Sequence, residues 1–91
     1  MNEISEERLK EILNTYNDKP VNVKIEGVIG AEFTINKLKY HYKNGNLCLS
    51  DEVMDTALEI NITFVYMIFM NEDGARLEIK LDNDENVIIE L

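Results

Sequence analysis

The chain has 91 residues and a formal net charge of −9. Residues 51–91 hold all of that charge, because eleven acidic residues there stand against only Arg76 and Lys80. Residues 1–50 hold seven acidic and seven basic residues and are neutral. A concentrated negative charge repels bare nucleic acid and anionic membranes and favours a basic protein as partner.

Length and composition limit the class of protein further. We expect one domain spanning residues 1–91. A hydrophobic content of 45% excludes a disordered chain. Cys48 is the only cysteine, which excludes an internal disulfide and favours a cytoplasmic location. The longest apolar run, residues 64–70, has seven residues, whereas a membrane-spanning helix requires about 20.

The first predicted element is an amphipathic helix. Ser5 is a suitable N-cap, and the residue before Pro20 disfavours helical geometry, so we expect the helix to end before Pro20. Four apolar residues recur at helical spacing and form one stripe: Leu9, Ile12, Leu13 and Tyr16.

The chain after Pro20 is predicted to be β-strand. Residues 21–25 alternate apolar and polar. The apolar phase changes near Asn36 and Lys37, which predicts a bulge or bend there. The dipeptide Asn44-Gly45 predicts a two-residue type I′ hairpin turn, which places His41 opposite Cys48.

The C-terminal part is predicted to contain a long strand and two hairpins. Residues 58–70 read as one strand that bends near Thr63, and residues 64–70 are apolar on both faces, which predicts cover on both sides. Asp73-Gly74 predicts a hairpin turn. The predicted pairs of this hairpin are Ile68 with Ile79 and Tyr66 with Leu81. A turn within residues 82–86 pairs Leu81 with Val87 and Ile79 with Ile89, and leaves residues 87–91 as an apolar edge strand.

These elements predict the α+β class, with an N-terminal helix followed by a five- or six-stranded antiparallel β-meander. Such a sheet must cover one face, so we expect it to curl into a small partly open barrel with the helix at one end. This order of elements resembles the Sm-like RNA-binding barrels in topology alone. The C-terminal acidity opposes the RNA binding that the resemblance implies.

Three residue patterns suggest chemistry, and a structural explanation is preferred for each. His41 and Cys48 have the residue types of a nucleophile and its base, but we expect an ordinary pair on a solvent-exposed face. Asp82, Asp84 and Asn86 have the alternate spacing of a calcium loop but lack its Gly and Glu, which favours a hairpin loop. Residues 37–43 interleave lysines and aromatics, yet alternation places the two types on opposite faces. We therefore predict no catalytic residue, metal or cofactor.

The charge distribution suggests the function. We expect a small acidic non-catalytic protein-binding module, such as a phage or mobile-element inhibitor that imitates phosphate charge and docks on a basic, nucleic-acid-binding protein. We expect neither direct nucleic-acid binding nor membrane binding. The predicted partner-binding residues are acidic: Asp51, Glu52, Asp55, Glu72, Asp73, Glu78, Asp82, Asp84 and Glu85.

Other functions remain open from the sequence. The second hypothesis is an oligomerising structural or regulatory β-barrel protein that pairs through the C-terminal edge strand. The third is a small enzyme or metal protein that uses His41 and Cys48. The acidic residues are also compatible with a surface that only interacts with solvent.

Overall fold

The computed structural model describes residues 2–27, 30–51 and 58–91, which form one α-helix, one 3-10 helix and nine strands. In chain order the elements are β1 (Asn2–Glu3), α1 (Glu6–Thr15), β2 (Val21–Glu26), β3 (Ala31–Ile35), β4 (Lys39–Lys43), β5 (Asn46–Ser50), β6 (Leu58–Asn61), the 3-10 helix η1 (Ile62–Phe64), β7 (Val65–Met70), β8 (Arg76–Leu81) and β9 (Asn86–Glu90).

The strands divide into two antiparallel sheets. One sheet has the order β1-β7-β8-β9-β2-β3, and the other has the order β4-β5-β6. The α+β class is therefore confirmed. The described strands do not close into a barrel, because they form two sheets, and their order is not strictly that of a meander, because β9 pairs with β2 as well as with β8.

The helix α1 forms as its sequence predicts. The Ser5 hydroxyl oxygen accepts a hydrogen bond from the Arg8 backbone N–H at 3.1 Å, which caps the first turn. The apolar stripe of α1 is buried in the same core cluster as inward-facing residues of both sheets. That shared cluster holds the helix in place, since a helix of this length has little stability alone.

The chain crosses between the two sheets where the sequence predicts a bend. β3 ends at Ile35 in the six-stranded sheet, and β4 begins at Lys39 in the three-stranded sheet. Leu38, in between, is fully buried. Its carbonyl accepts a hydrogen bond from Asp18 N–H at 2.9 Å, and its own N–H donates to Lys19 O at 3.0 Å. These bonds attach the crossing to the end of α1.

A second crossing divides the strand that was predicted over residues 58–70. The predicted bend near Thr63 is confirmed, because η1 interrupts the strand there. The Asn61 carbonyl oxygen of the side chain accepts from Thr63 N–H at 3.0 Å, which caps η1. β6 and β7 consequently lie in different sheets.

The first predicted hairpin is confirmed in both turn and register. Asn44 and Gly45 have φ angles of 53° and 79°, as a type I′ turn requires. His41 lies opposite Cys48.

The second hairpin is confirmed in part. Ile68 lies opposite Ile79, as predicted, but Val65 rather than Tyr66 lies opposite Leu81, because a bulge interrupts the pairing between Val65 and Met67. The turn is also wider than a type I′ turn. Asn71 N–H donates to Arg76 O at 3.0 Å, which closes a loop of four residues, and within this loop only Gly74 has a positive φ.

The predicted register of the last hairpin is wrong by two residues. Ile79 lies opposite Val87, and Leu77 lies opposite Ile89. The loop is closed by Leu81 N–H donating to Glu85 O at 2.9 Å, with Asp84 in the left-handed region at φ 66°. A shift of two residues keeps every side chain on its face, so the apolar pattern alone does not distinguish the two registers.

The prediction that residues 87–91 form an edge strand is also wrong. β9 pairs with β8 on one side and β2 on the other. Val87, Ile88 and Ile89 are all buried. Apolar residues on both faces of β9 reflect this central position. The cross-strand neighbours of Ile88 are Glu78 and Lys24, whose aliphatic stems are long enough to cover it.

Ile79 lies at the centre of the core and is 1% exposed. Replacing it with alanine should lower the free energy of unfolding by about 2–5 kcal/mol, through lost burial and a residual cavity. Chemical denaturation measures this change. The control Lys43→Ala, at an exposed position, should stay within about 0.5 kcal/mol of wild type. Equal effects of the two variants would contradict the observed burial.

Asp84 and Asp82 provide a matched test of the last turn. Asp84→Gly should raise the free energy of unfolding by up to about 1 kcal/mol, because glycine adopts a positive φ without steric cost. Asp82→Gly removes the same charge at a residue without a positive φ and should be neutral or destabilising. Thermal or chemical denaturation giving the same change for both would refute this turn geometry.

Candidate protein-binding surface

The predicted acidic residues do not form one cluster. Glu72 and Asp73 are exposed in the turn between β7 and β8, whereas Asp82 and Asp84 are exposed in the turn between β8 and β9. Successive hairpin turns lie at opposite ends of a sheet, and the six residues of β8 separate them by about 20 Å. The structure therefore has two acidic ends, here called the 72–73 end and the 82–85 end.

The other predicted acids have different surroundings. Glu85 is half-buried within the 82–85 end, and Glu78 is half-buried midway along β8. The Asp51 carboxylate accepts a hydrogen bond from Asn36 N–H at 2.9 Å, so it helps to hold the crossing after β3. Glu52 and Asp55 lie outside the described residues.

The acidic ends lack neutralising partners within residues 2–27, 30–51 and 58–91. The ion pairs Arg8–Glu11, at 2.9 Å, and Lys10–Glu7, at 3.7 Å, belong to α1, and Lys39 pairs with Asp18. No ion pair reaches Glu72, Asp73, Asp82, Asp84 or Glu85 in this part of the chain. Three acids of residues 1–50 thus have basic partners, whereas the five acids at the two ends of β8 have none among the described residues.

Asp82, Asp84 and Asn86 follow the geometry of a hairpin. Asp84 has the left-handed conformation of the turn, and Asn86 begins β9 opposite Lys80. The Asn83 side-chain oxygen accepts from Glu85 N–H at 3.1 Å. No group of three or more His, Cys, Asp or Glu side chains is placed to hold a metal ion among the described residues.

The prediction that His41 and Cys48 share a solvent-exposed face is wrong for Cys48. His41 is exposed, but Cys48 is only 3% exposed. β5 is the central strand of the three-stranded sheet, with Glu59 of β6 on the other side of Cys48. A central strand has less access to solvent than an isolated hairpin, and the sequence of the hairpin alone does not show its second neighbour.

The aromatic and basic residues of 37–43 lie on different faces, as predicted. Tyr40 and Tyr42 pack against the core cluster. The Tyr40 hydroxyl donates to the Asn14 side-chain oxygen at 2.6 Å. The Lys10 ammonium lies 4.7 Å from the centre of the Tyr42 ring. Because both tyrosine side chains contact α1, their rings are not free to stack on nucleic-acid bases.

Two exposed aromatics are the feature that sequence reasoning missed. Phe64 is 56% exposed and Tyr66 is 68% exposed, although residues 64–70 were predicted to be covered on both sides. β1 covers only the far end of β7, where Asn2 and Glu3 lie opposite Met70 and Phe69. The apolar run of residues 64–70 could have indicated an exposed apolar surface, but it was interpreted as evidence of burial.

Each exposed aromatic lies beside acidic residues. A shallow depression of about 280 Å³ is lined by Phe64, Asp82 and Asn83. A second, of about 170 Å³, includes Tyr66 together with Glu3 and Glu6. Phe64, Tyr66 and these carboxylates are together called the β7 flank below.

A larger groove, of about 450 Å³, lies between α1 and the turn after β7. The charged residues that line it are Arg8, Glu72 and Asp73. The Arg8 guanidinium is already paired with Glu11. A nucleophile with an adjacent base, as covalent catalysis requires, is not present among the residues that line this groove.

Comparison of the chain with protein-family models, with curated proteins and with solved structures gave no match. Within the described part of the chain, no helix has the length and apolar character needed to cross a membrane.

The stability of the fold is expected to depend on the ionisation of Tyr42 at alkaline pH. Burial raises the pKa of Tyr42 from 10.0 to about 12, and the nearby Glu6 adds to the effect. The unfolded chain should therefore release this proton first, and stability should fall as pH rises from 10 to about 12. The Tyr42 hydroxyl is buried without a hydrogen-bond partner among the described residues.

Tyr42→Phe should therefore cost little stability at neutral pH and should lose less stability than wild type over this alkaline range. Denaturation at a series of pH values measures the difference. Tyr66→Phe, at an exposed position, is the control and should show the wild-type decline. Parallel curves for wild type and Tyr42→Phe would contradict the assignment.

Proposed function

We propose that this protein is a small acidic, non-catalytic module that binds a basic protein surface through the β7–β9 part of its six-stranded sheet. The observation that supports this most is the group of carboxylates at the two ends of β8, none of which forms an ion pair among the described residues. Glu7, Glu11 and Asp18 each have a basic partner, whereas the acids at the two ends of β8 have none among the described residues. Such an arrangement suits attraction of a cationic partner.

Unpaired like charges destabilise the compact state through self-repulsion, and a basic partner relieves that repulsion on binding. A one-signed field also accelerates association with a partner of opposite charge. The proposed partner is a protein that normally holds nucleic acid, because its surface is basic and the carboxylates have the same sign as phosphates. An inhibitor from a phage or mobile element, acting in the cytoplasm, fits this description.

Oligomerisation is the alternative function. The strand proposed for pairing, residues 87–91, does not form a free edge, since β9 lies between β8 and β2. Pairing between copies would have to use another edge of the described sheets instead, such as β3, β4, β6 or the β7 flank. A net charge of −9 on each copy opposes such an approach, because the two surfaces repel each other.

Capture from host lysate at several salt concentrations, followed by mass spectrometry, identifies candidate partners. Titration with the purified partner should then show that the association rate falls steeply as salt rises, because exposed charges are screened beyond about 8–10 Å near physiological ionic strength.

Simultaneous reversal of Asp82, Asp84 and Glu85 to lysine should lower the affinity about tenfold or more, equivalent to about 1.4 kcal/mol. Reversal of Lys37, Lys39 and Lys43 to glutamate is the control and should leave affinity unchanged or improved. Circular dichroism checks folding of both. Loss of binding only when Lys37, Lys39 and Lys43 are reversed to glutamate would refute an acidic docking surface and would favour binding through the first hairpin.

A further inference from the structure

We propose that the β7 flank is where the basic partner docks, with Phe64 and Tyr66 as anchors for arginine side chains. This inference rests on the proposed function, because it specifies the place and chemistry of the same contact. Four observations support it: the exposure of the two rings, the bulge, the uncovered side of β7, and the carboxylates beside each ring.

The bulge accounts for the exposure of Tyr66. In a regular strand Tyr66 shares a face with buried Ile68 and points toward the core. The interruption between Val65 and Met67 instead places Val65 opposite Leu81, and both pack against the core cluster. Tyr66 is left 68% exposed. Bulges re-aim side chains and are common at sheet edges and beside functional sites.

The side of β7 next to Tyr66 lacks a neighbouring strand among the described residues. β1 is two residues long and pairs only with Phe69 and Met70, and Ile4 N–H extends this contact to Ile68 O at 2.8 Å. Val65 and Met67 pair only with β8, and Tyr66 between them has no partner in the register. A partner therefore has access to the aromatic side chains and to the backbone beside them.

The charges around the rings specify a cationic occupant. Asp82 lies beside Phe64, and Glu3 and Glu6 line the depression beside Tyr66. Arg8, the base nearest to Glu6 in sequence, is paired with Glu11. Lys80, the base nearest to Asp82 in sequence, places its ammonium 5.9 Å from the centre of the Phe69 ring. It forms no ion pair with these carboxylates in the described part of the chain.

Arginine fits this combination better than lysine. Its planar guanidinium stacks on an aromatic ring and can at the same time pair with a carboxylate through its fork of N–H groups. A second copy, a nucleic acid or an anionic membrane would instead bring negative charge to carboxylates that already lack partners. The occupant that fits is therefore an arginine-bearing surface of a basic protein.

Two peptides test the inference directly. One is an octapeptide alternating arginine with threonine, and the other replaces each arginine with lysine, so that length and charge are equal. Each is titrated at low salt into labelled protein and followed by backbone NMR. The arginine peptide should bind at least threefold more tightly and should shift the signals of residues 62–68.

Single variants then distinguish the contribution of the aromatic rings to peptide binding from that of the charge. Phe64→Ala and Tyr66→Ala should each weaken binding of the arginine peptide about 2- to 30-fold, without loss of folded structure, since both rings are exposed. His41→Ala, at an exposed ring in the other sheet, is their control. Asp82→Lys should also weaken binding, whereas its control Glu32→Lys, on the opposite edge strand β3, should have little effect.

The outcomes distinguish this inference from the proposed function. If both peptides bind equally, and the aromatic variants bind like wild type while the triple reversal at the 82–85 end weakens binding, the β7 flank is refuted and acidic docking stands. If neither acidic reversal nor salt affects binding, both are refuted. A dimer in sedimentation at micromolar concentration that Tyr66→Ala abolishes would assign the β7 flank to self-association and overturn the inference.

Discussion

Two backbone hydrogen bonds at Leu38 connect the end of α1 to the crossing between the two sheets. The side chain of Leu38 is fully buried in the cluster that also contains Leu9, Leu13 and Val23. A helix and two sheets each need a partner for their apolar surface, and here one cluster serves all three. β4 follows directly after this crossing, so the contact of Tyr40 with Asn14 depends on the same connection. The three-stranded sheet is thereby held against the helix.

Local sequence signals predicted local structure well. The Ser5 cap and the Asn44-Gly45 turn depend on a few adjacent residues, and both are confirmed. The bends near Lys37 and Thr63 were also predicted, the first from a change in the period-2 pattern and the second from the unusual length of a strand over residues 58–70. The sequence did not predict that each bend takes the chain from one sheet to the other, because the division of strands between two sheets depends on contacts between residues far apart in the chain.

Two strands have apolar residues on both faces, and the sequence did not reveal which was central. β7 was expected to be covered and leaves Phe64 and Tyr66 exposed, whereas β9 was expected at an edge and lies between two strands. The bulge at Tyr66 and the two-residue shift of β9 had no signal in the apolar pattern. The acidic surface was likewise predicted only in part. Its residues were identifiable from the sequence, but their division between the two ends of β8 depends on the geometry of the hairpins.

The position of β9 also determines how the chain must fold. Val23 pairs with Ile89 more than sixty positions later in the chain, whereas the β2–β3 and β8–β9 hairpins are local. Joining these hairpins requires closure of a long loop, whose entropy cost precedes any gain from the new contacts. The six-stranded sheet is therefore a slow-folding element by topology. Before that step the apolar sides of β2 and β9 are unpaired, and strands in this condition are prone to aggregate.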